Sequence, residues 1–107
     1  MTTFYEDAEF VDSLISQPPR DELILRMALR DEISDPVAIE VWEARIAELE
    51  FLLSPTRAEW DGIYLAAKVQ MYRLRYGRTT PEQLIDRNIF ASGTLVSRSD
   101  LARDLWR

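Results

Sequence analysis

Three of the five prolines directly follow a residue that can cap a helix, and these helix-start signals constrain the fold more than any other feature. The pairs are Asp35-Pro36, Ser54-Pro55 and Thr80-Pro81. A capping side chain accepts a hydrogen bond from the first turn, and proline at the first helical position lacks an N–H that would be unbonded there. The pair Pro18-Pro19 separates two further apolar-periodic segments. We therefore predict a succession of helices joined by short connections.

Apolar residues that recur every three or four positions predict four main helices. Helix one opens with a capping box of Thr3 and Glu6, and helix four ends at Gly77, which suits a helix terminus. Two short helices are predicted after them, one from Thr80 and one from Ser97, with no assignment for 91–96. The four predicted main ranges are 3–16, 19–33, 36–53 and 55–76. The expected fold is a single all-α domain over 1–107, an antiparallel four-helix bundle with a short C-terminal helical appendage.

The apolar stripes also predict which side chains form the core. In helix one the expected buried face is Phe4, Ala8, Val11 and Ile15, with Phe10 and Leu14 beside it. Helix two carries apolar residues on a broad face, which favours burial on more than one side. Helices three and four are expected to form the main antiparallel pair because a very short connection joins them. Their expected buried residues are Trp42, Ile46, Leu49, Ile63, Ala67 and Met71. A second stripe on helix four comprises Leu65, Val69, Tyr72 and Tyr76.

The chain contains neither cysteine nor histidine, and this excludes several classes of function. Disulfides, Cys/His zinc sites and His-dependent catalytic triads cannot form. The three glycines belong to no phosphate-binding loop, so we predict no cofactor and no catalytic residues. The first seven residues are acidic, whereas a secretory signal is basic, and no apolar run is long enough for a membrane span. We therefore expect a cytoplasmic protein that does not act as an enzyme.

One acidic pattern does resemble that of a catalytic family. The spacing of Glu6, Glu9, Glu32 and Asp35 is similar to that of the all-α nucleotide pyrophosphohydrolases of the MazG type. That resemblance implies carboxylates from paired helices around Mg²⁺. However, Asp35 precedes a proline and is best interpreted as a helix cap, so Glu32 and Asp35 should point in different directions. We predict no metal site here, and a Mg²⁺-dependent hydrolase remains an alternative.

Charge is distributed unevenly along the chain, whose formal net charge is −6. Residues 1–54 contain 4 basic and 13 acidic side chains, whereas residues 55–107 contain 9 basic and 6 acidic ones. The acidic half offers a candidate partner-binding surface that could imitate a phosphate array. Its candidate residues are Glu6, Asp7, Glu9, Asp12, Asp31, Glu32, Asp35, Glu40 and Glu43.

These features favour a small protein-binding module whose partner has a basic nucleic-acid-binding groove. The most concrete form is an inhibitor from a phage or mobile element, of the anti-CRISPR or anti-restriction kind. The small size of the chain, its acidic net charge and its preference for arginine over lysine suggest this form. A second candidate surface is Tyr72, Arg75, Tyr76 and Trp106; we do not expect direct nucleic-acid binding there, because arginines also favour helix C-termini. An alternative is an assembly subunit that forms homodimers or larger oligomers through helix four.

Overall fold

A computed structural model of the protein describes residues 4–86, and this part of the chain is helical without any strand. The helices are α1 (Ala8–Ile15), α2 (Pro19–Leu29), α3 (Pro36–Leu53), α4 (Arg57–Arg75) and α5 (Pro81–Asp86). Short 3₁₀ turns at Phe4–Glu6 and Arg30–Glu32 precede α1 and follow α2. The predicted all-α class is confirmed for this part. The predicted helix from Ser97, the segment 91–96 and Trp106 lie outside the described residues.

Two of the three predicted capping pairs are confirmed. Asp35 caps α3, because its carboxylate accepts a hydrogen bond of 3.0 Å from the Val37 N–H. Thr80 and Gln83 exchange reciprocal hydrogen bonds of 3.1 and 3.2 Å at the start of α5. The proline that follows each cap is therefore in the first turn of its helix, as the sequence predicts.

The prediction that Ser54 caps the fourth helix is wrong. Ser54 has φ +40° in the left-handed region and ends α3, with its N–H donating to the Glu50 carbonyl. Helix α4 begins two residues later than predicted, after Thr56, whose hydroxyl accepts a 3.2 Å hydrogen bond from the Glu59 N–H. Thr56 and Glu59 have the spacing of a capping box, and this local pair fixes the start of α4.

The predicted start of the first helix is also wrong, and its predicted buried face is correct only for Phe4. Helix α1 begins after Asp7, whose carboxylate accepts a 2.9 Å hydrogen bond from the Glu9 N–H. The preceding 3₁₀ turn instead places the Phe4 ring against Phe10, with ring centroids 5.3 Å apart. Phe10 and Leu14, which were predicted to lie beside the expected face, are buried. Ala8 and Ile15 of the expected face are exposed, and Val11 is half-buried.

Helix α2 is the centre of the described structure. Most of its residues are buried, and it packs mainly against α3 and α4, with further contacts to α1 and α5. Burial on several sides was predicted for this helix and is confirmed. The predicted main pairing of α3 with α4 is wrong, because both helices lie against α2 and contact each other little. A helix that is apolar on most sides can accommodate several neighbours at once.

This arrangement decides which predicted core residues are buried. Trp42, Leu49, Ile63 and Ala67 are buried as predicted. Ile46 and Met71 are only half-buried, because they line an open cleft between α3 and α4. Across residues 4–86, no helix is both long and apolar enough to cross a lipid bilayer.

Candidate functional site

Helix α3 has two apolar faces, and only one of them packs into the core. On the core-facing side of this 18-residue helix, Trp42 and Leu49 are buried, and half-buried Ile39, Ile46 and Leu53 lie beside them. At about 100° per residue, five other apolar residues fall within an arc of about 100° on the opposite side. We call this set the outer stripe: Val37, Val41, Ala44, Phe51 and Leu52. Val37, Val41, Phe51 and Leu52 are 68%, 67%, 87% and 67% exposed.

A groove runs between α1 and the first half of the outer stripe. Its volume is about 750 Å³, and its lining is mostly apolar. Val11 and Ile15 line it from α1, and Val37 and Val41 line it from α3, while the Trp42 indole also contributes to its surface. We call this feature the α1–α3 groove. It brings apolar residues of α1 alongside the first half of the outer stripe.

A buried charge cluster lies beneath the groove and fixes the Trp42 side chain. The Glu22 carboxylate accepts hydrogen bonds from Nε of Arg26 at 2.7 Å and from Nε and Nη2 of Arg45, both at 2.8 Å. The Arg26 carbonyl accepts a 2.7 Å hydrogen bond from the Trp42 indole, and the Arg26 guanidinium lies 4.5 Å from the centre of that ring. The indole is therefore held by both a hydrogen bond and a cation–π contact.

Burial and pairing shift the pKa values of these groups in different directions. Burial alone would raise the pKa of Glu22, but the hydrogen bonds and charges of Arg45 and Arg26 together lower it. Burial lowers the pKa of Arg26, whereas the hydrogen bond to Glu22 raises that of Arg45. Burial also raises the pKa of Asp21, against the opposing charge of Arg20. The cluster therefore keeps Glu22 ionised between two arginines, and this arrangement serves to hold α2 and α3 together.

Acidic side chains border the α1–α3 groove. Glu6, Asp35 and Glu48 line it directly. Asp12 lies one turn before Ile15 on α1, and Glu40 lies one turn after Val37 on α3. The two arginines that line the groove, Arg26 and Arg45, are both bound to Glu22. The charge around this apolar surface is therefore predominantly negative.

The nine predicted acidic residues do not form one surface. Glu6 and Asp35 line the α1–α3 groove, whereas Asp31 and Glu43 line the cleft between α3 and α4. Several also have local roles. Asp7 and Asp35 cap helices, Glu43 forms an ion pair with Arg30, and Asp31 lies 3.9 Å from Arg75. Glu9, Asp12, Glu32 and Glu40 are exposed. Whether any of them bind a partner stays a prediction.

The carboxylates of the hydrolase-like spacing fall on unrelated local structures. Glu6 and Glu32 belong to separate 3₁₀ turns, Glu9 is in the first turn of α1, and Asp35 caps α3. Within residues 4–86, no three acidic side chains are grouped so that they could hold a metal ion.

A second concavity lies between α3 and α4, next to the end of α2 against which both helices pack. It has a volume of about 460 Å³ and is partly open. Met27, Ile46 and Met71 form apolar parts of its wall, beside an edge-to-face pair of Trp60 and Tyr64 with ring centroids 6.4 Å apart. Charged side chains of both signs surround it, and we call it the α3–α4 cleft.

Three residues of the second predicted surface do lie together at the end of α4. The rings of Tyr72 and Tyr76 stack with centroids 6.5 Å apart and an angle of 18° between their planes. The Arg75 guanidinium lies 5.8 Å from the Tyr72 ring. Trp106, the fourth member, is outside the described residues. This patch is small, and its arginine also faces Asp31.

The outer stripe is the feature that sequence reasoning missed. Its residues Val37, Val41, Ala44 and Phe51 recur at intervals of three, four and seven, which is a helical stripe in its own right. The core stripe of the same helix obscured it, because only one face was assigned. No family model matches this chain, and neither a curated protein nor a solved structure is similar to it.

Proposed function

We propose that this chain is a non-catalytic protein-binding module whose contact surface is the outer stripe together with the α1–α3 groove. The observation that carries the proposal is the second apolar face of α3, on which Val37, Val41 and Phe51 are each more than half exposed. Contiguous exposed apolar surface with polar edges is typical of protein-interaction sites. Burial of such surface contributes about 25 cal/mol per Å² to association, before the costs of ordering are subtracted.

The form of this surface supports a protein partner over a lipid one. Glu40 lies beside the apolar stripe and Glu48 lies within it, and both carboxylates would repel the anionic head groups of a membrane. The Trp42 indole is 3% exposed and is held in place by Arg26, so it forms a rigid floor beneath the groove. A surface that is already ordered loses less conformational entropy when a partner binds.

Three finer expectations belong to the same proposal. The helices would be arranged as an antiparallel bundle around α2, and the protein would act in the cytoplasm. The partner would be a nucleic-acid-handling protein that the module inhibits, as the small size and acidic charge first suggested. The acidic border of the groove supports this last expectation, because it complements a basic surface.

Site-specific photocrosslinking in cells of the source organism tests the proposal. A photoreactive amino acid replaces Val41 in the outer stripe, and a matched variant carries it at Asp61, an exposed position on α4. We expect a crosslinked protein from position 41 that is absent from position 61. The purified partner should then bind the Val41→Asn variant at least tenfold more weakly than the native chain. Equal crosslinking at both positions, or unchanged affinity, would contradict the proposal.

Oligomerisation through α4 is the second candidate. Leu65 and Tyr76 of its second stripe are exposed, but Val69 between them is buried, so the stripe is interrupted. A solution mass of twice 12.5 kDa or more, abolished by Leu65→Asn and retained in Val41→Asn, would favour this candidate over the first.

A further inference from the structure

A carboxylate interrupts the middle of the apolar outer stripe. Glu48 lies one turn after Ala44 and one turn before Phe51 and Leu52, so helix geometry places it within the same arc. Its side chain is 70% exposed and contacts Nη1 of Arg45 at 3.1 Å. The other two nitrogens of that guanidinium bind Glu22, so Arg45 is shared between two carboxylates. Because Glu48 has only a share of Arg45, a partner that covers the stripe is favoured when it places a positive charge against Glu48.

Two more carboxylates lie at the edges of the same surface. Glu40 is on the side of the stripe away from Arg45, and Asp12 lies on α1 one turn before Ile15, a residue of the groove. Both side chains are exposed. The partner surface therefore meets an apolar centre, one central acid and acids on both sides.

We propose that the outer stripe and the α1–α3 groove bind a basic amphipathic α-helix of the partner protein. Its apolar side chains would cover Val37, Val41 and Phe51, and lysines or arginines would lie against Glu48, Glu40 and Asp12. This inference rests on the proposed function and names the chemistry of the partner. Helix-in-groove binding is a recurrent mode in which apolar residues of one face enter a groove and charges at the edges determine specificity.

The length and residue spacing of the outer stripe suit a partner helix that packs along α3. Val37 and Leu52 are 15 positions apart on α3, which at 1.5 Å per residue corresponds to about 22 Å or four turns. The intervals of four, three and seven residues along the stripe are those of helices that pack side by side. Residues 4–86 contain no strand whose edge could pair with an extended peptide, so this part of the chain has no means of binding by strand addition.

A second copy of the chain fits the surface less well than a basic helix. Pairing of two outer stripes would bring Glu40 and Glu48 of both copies into one interface, and each chain has a net charge of −6. Like charges brought together in an interface oppose association, whereas a basic partner is attracted over a distance. Charge complementarity therefore favours a different, positively charged chain.

Two synthetic peptides of 18 residues test this inference against the full chain by fluorescence anisotropy. Both form amphipathic helices with the same leucines on one face, and they differ only in carrying lysines or glutamates on the other. We expect the lysine peptide to bind at least tenfold more tightly than the glutamate peptide. Its affinity should fall at least tenfold in Val41→Asn and about fivefold in Glu40→Gln/Glu48→Gln, and it should decrease with added salt.

The variant Leu65→Asn is the matched control, because it removes an exposed apolar residue of α4 outside the groove. It should bind the lysine peptide as the native chain does. Unchanged binding in both Val41→Asn and Leu65→Asn would mean general attraction of a basic peptide to an acidic protein, and it would overturn the inference. Equal loss in the two variants would mean that the peptide does not require the outer stripe in particular, and it would overturn the inference as well. Equal binding of the two peptides would do the same.

Two further outcomes separate this inference from the proposed function. If neither peptide binds but position 41 still crosslinks to a partner whose binding needs Val41, the protein-binding function stands and the basic helix is wrong. If the chain alone has twice its monomer mass and Val41→Asn restores the monomer, a second copy occupies the stripe and the inference is overturned.

Discussion

The Glu22 carboxylate on α2 and the Arg45 guanidinium on α3 form two parallel hydrogen bonds, each 2.8 Å long. Glu22 is 1% exposed, and Nε of Arg26 approaches the same carboxylate at 2.7 Å. Arg26 in turn holds the Trp42 indole through its carbonyl. A single buried acid thus joins the central helix to the helix that carries the outer stripe, and it fixes an aromatic group of the groove.

The variant Glu22→Gln should be strongly destabilised. Glutamine preserves the shape of the side chain but removes the charge, so Arg26 would be left buried without a carboxylate partner. Loss of one member of a buried ion pair costs about 3–5 kcal/mol, and we expect a decrease in the free energy of unfolding in that range. Urea denaturation measures it. In the control Glu48→Gln, which removes the exposed partner of Arg45, the loss should be below about 1 kcal/mol.

The stability contributed by Glu22 should disappear in acid. Burial opposes ionisation, but the hydrogen bonds from Arg45 and Arg26 prevail and hold the pKa of Glu22 below its ordinary value. A carboxyl with a lowered folded-state pKa stabilises the fold above its unfolded-state pKa, about 4.3, and loses that effect as the pH falls through the folded-state pKa. The difference in unfolding free energy between native chain and Glu22→Gln should therefore be full at pH 7 and shrink below about pH 4.3.

A change in the opposite direction is expected for Asp21. Its pKa is raised by burial, so its ionised form opposes folding above that pKa and the opposition is relieved in acid. Measurement of Asp21→Asn over the same pH series isolates this contribution. Asp21 is present in both the native chain and Glu22→Gln, so its contribution cancels in the difference between them. If that difference stays constant down to pH 3, Glu22 does not have a lowered pKa.

Local signals in the sequence predicted more than the packing did. The bounds of α3 follow from Asp35 and Pro36 at one end and the last apolar residue at the other, and both are local. Ser54 precedes a proline and was therefore predicted to cap the fourth helix. In the structure Thr56 and Glu59, which begin two residues later, form that cap instead. The pairing of α3 with α2 could not be predicted from connection length, since it depends on how many faces of α2 are apolar. The outer stripe was missed for the same reason, because a helix that is apolar on two sides gives no single dominant face.

Two single substitutions should change stability in opposite directions at Ser54 and Gly77, the two left-handed residues within 4–86. Gly77 has φ +68°, and a Cβ built there would meet nothing within 4 Å, so Gly77→Ala introduces only backbone strain. We expect a loss of about 1 kcal/mol. Ser54 has φ +40°, and Ser54→Gly should relieve comparable strain while losing the 3.1 Å hydrogen bond from its hydroxyl to the Phe51 carbonyl. For Ser54→Gly we expect a small net gain in stability, measured as a higher Tm. If both substitutions raise Tm, or both lower it, this account is contradicted.

Truncation of the two core-side residues of α3 should distinguish the core from the α3–α4 cleft. Leu49 is 1% exposed, so Leu49→Ala should cost about 2–5 kcal/mol, as expected for a new cavity in a packed core. Ile46 is half-buried and lines the cleft, where solvent can reach the space left by its side chain. Ile46→Ala should therefore cost less than Leu49→Ala. Equal losses in urea denaturation would mean that the cleft closes over Ile46 in solution.

The outer stripe should be removable without loss of stability. Val41 and Phe51 are 67% and 87% exposed, so the double variant Val41→Asn/Phe51→Ser breaks few contacts within the chain. The four residue types have similar helix propensities, and exposed substitutions of this kind change the free energy of unfolding by about 0.5 kcal/mol or less. The apolar area open to solvent falls, so the variant should elute earlier in hydrophobic-interaction chromatography and enhance the fluorescence of an apolar dye less than the native chain. Leu49→Ala is the contrasting control, because it destabilises the core and leaves the stripe intact. A loss above about 1 kcal/mol in the double variant would show that the stripe packs against other residues of the same chain, and a surface used in that way would not be open to a partner.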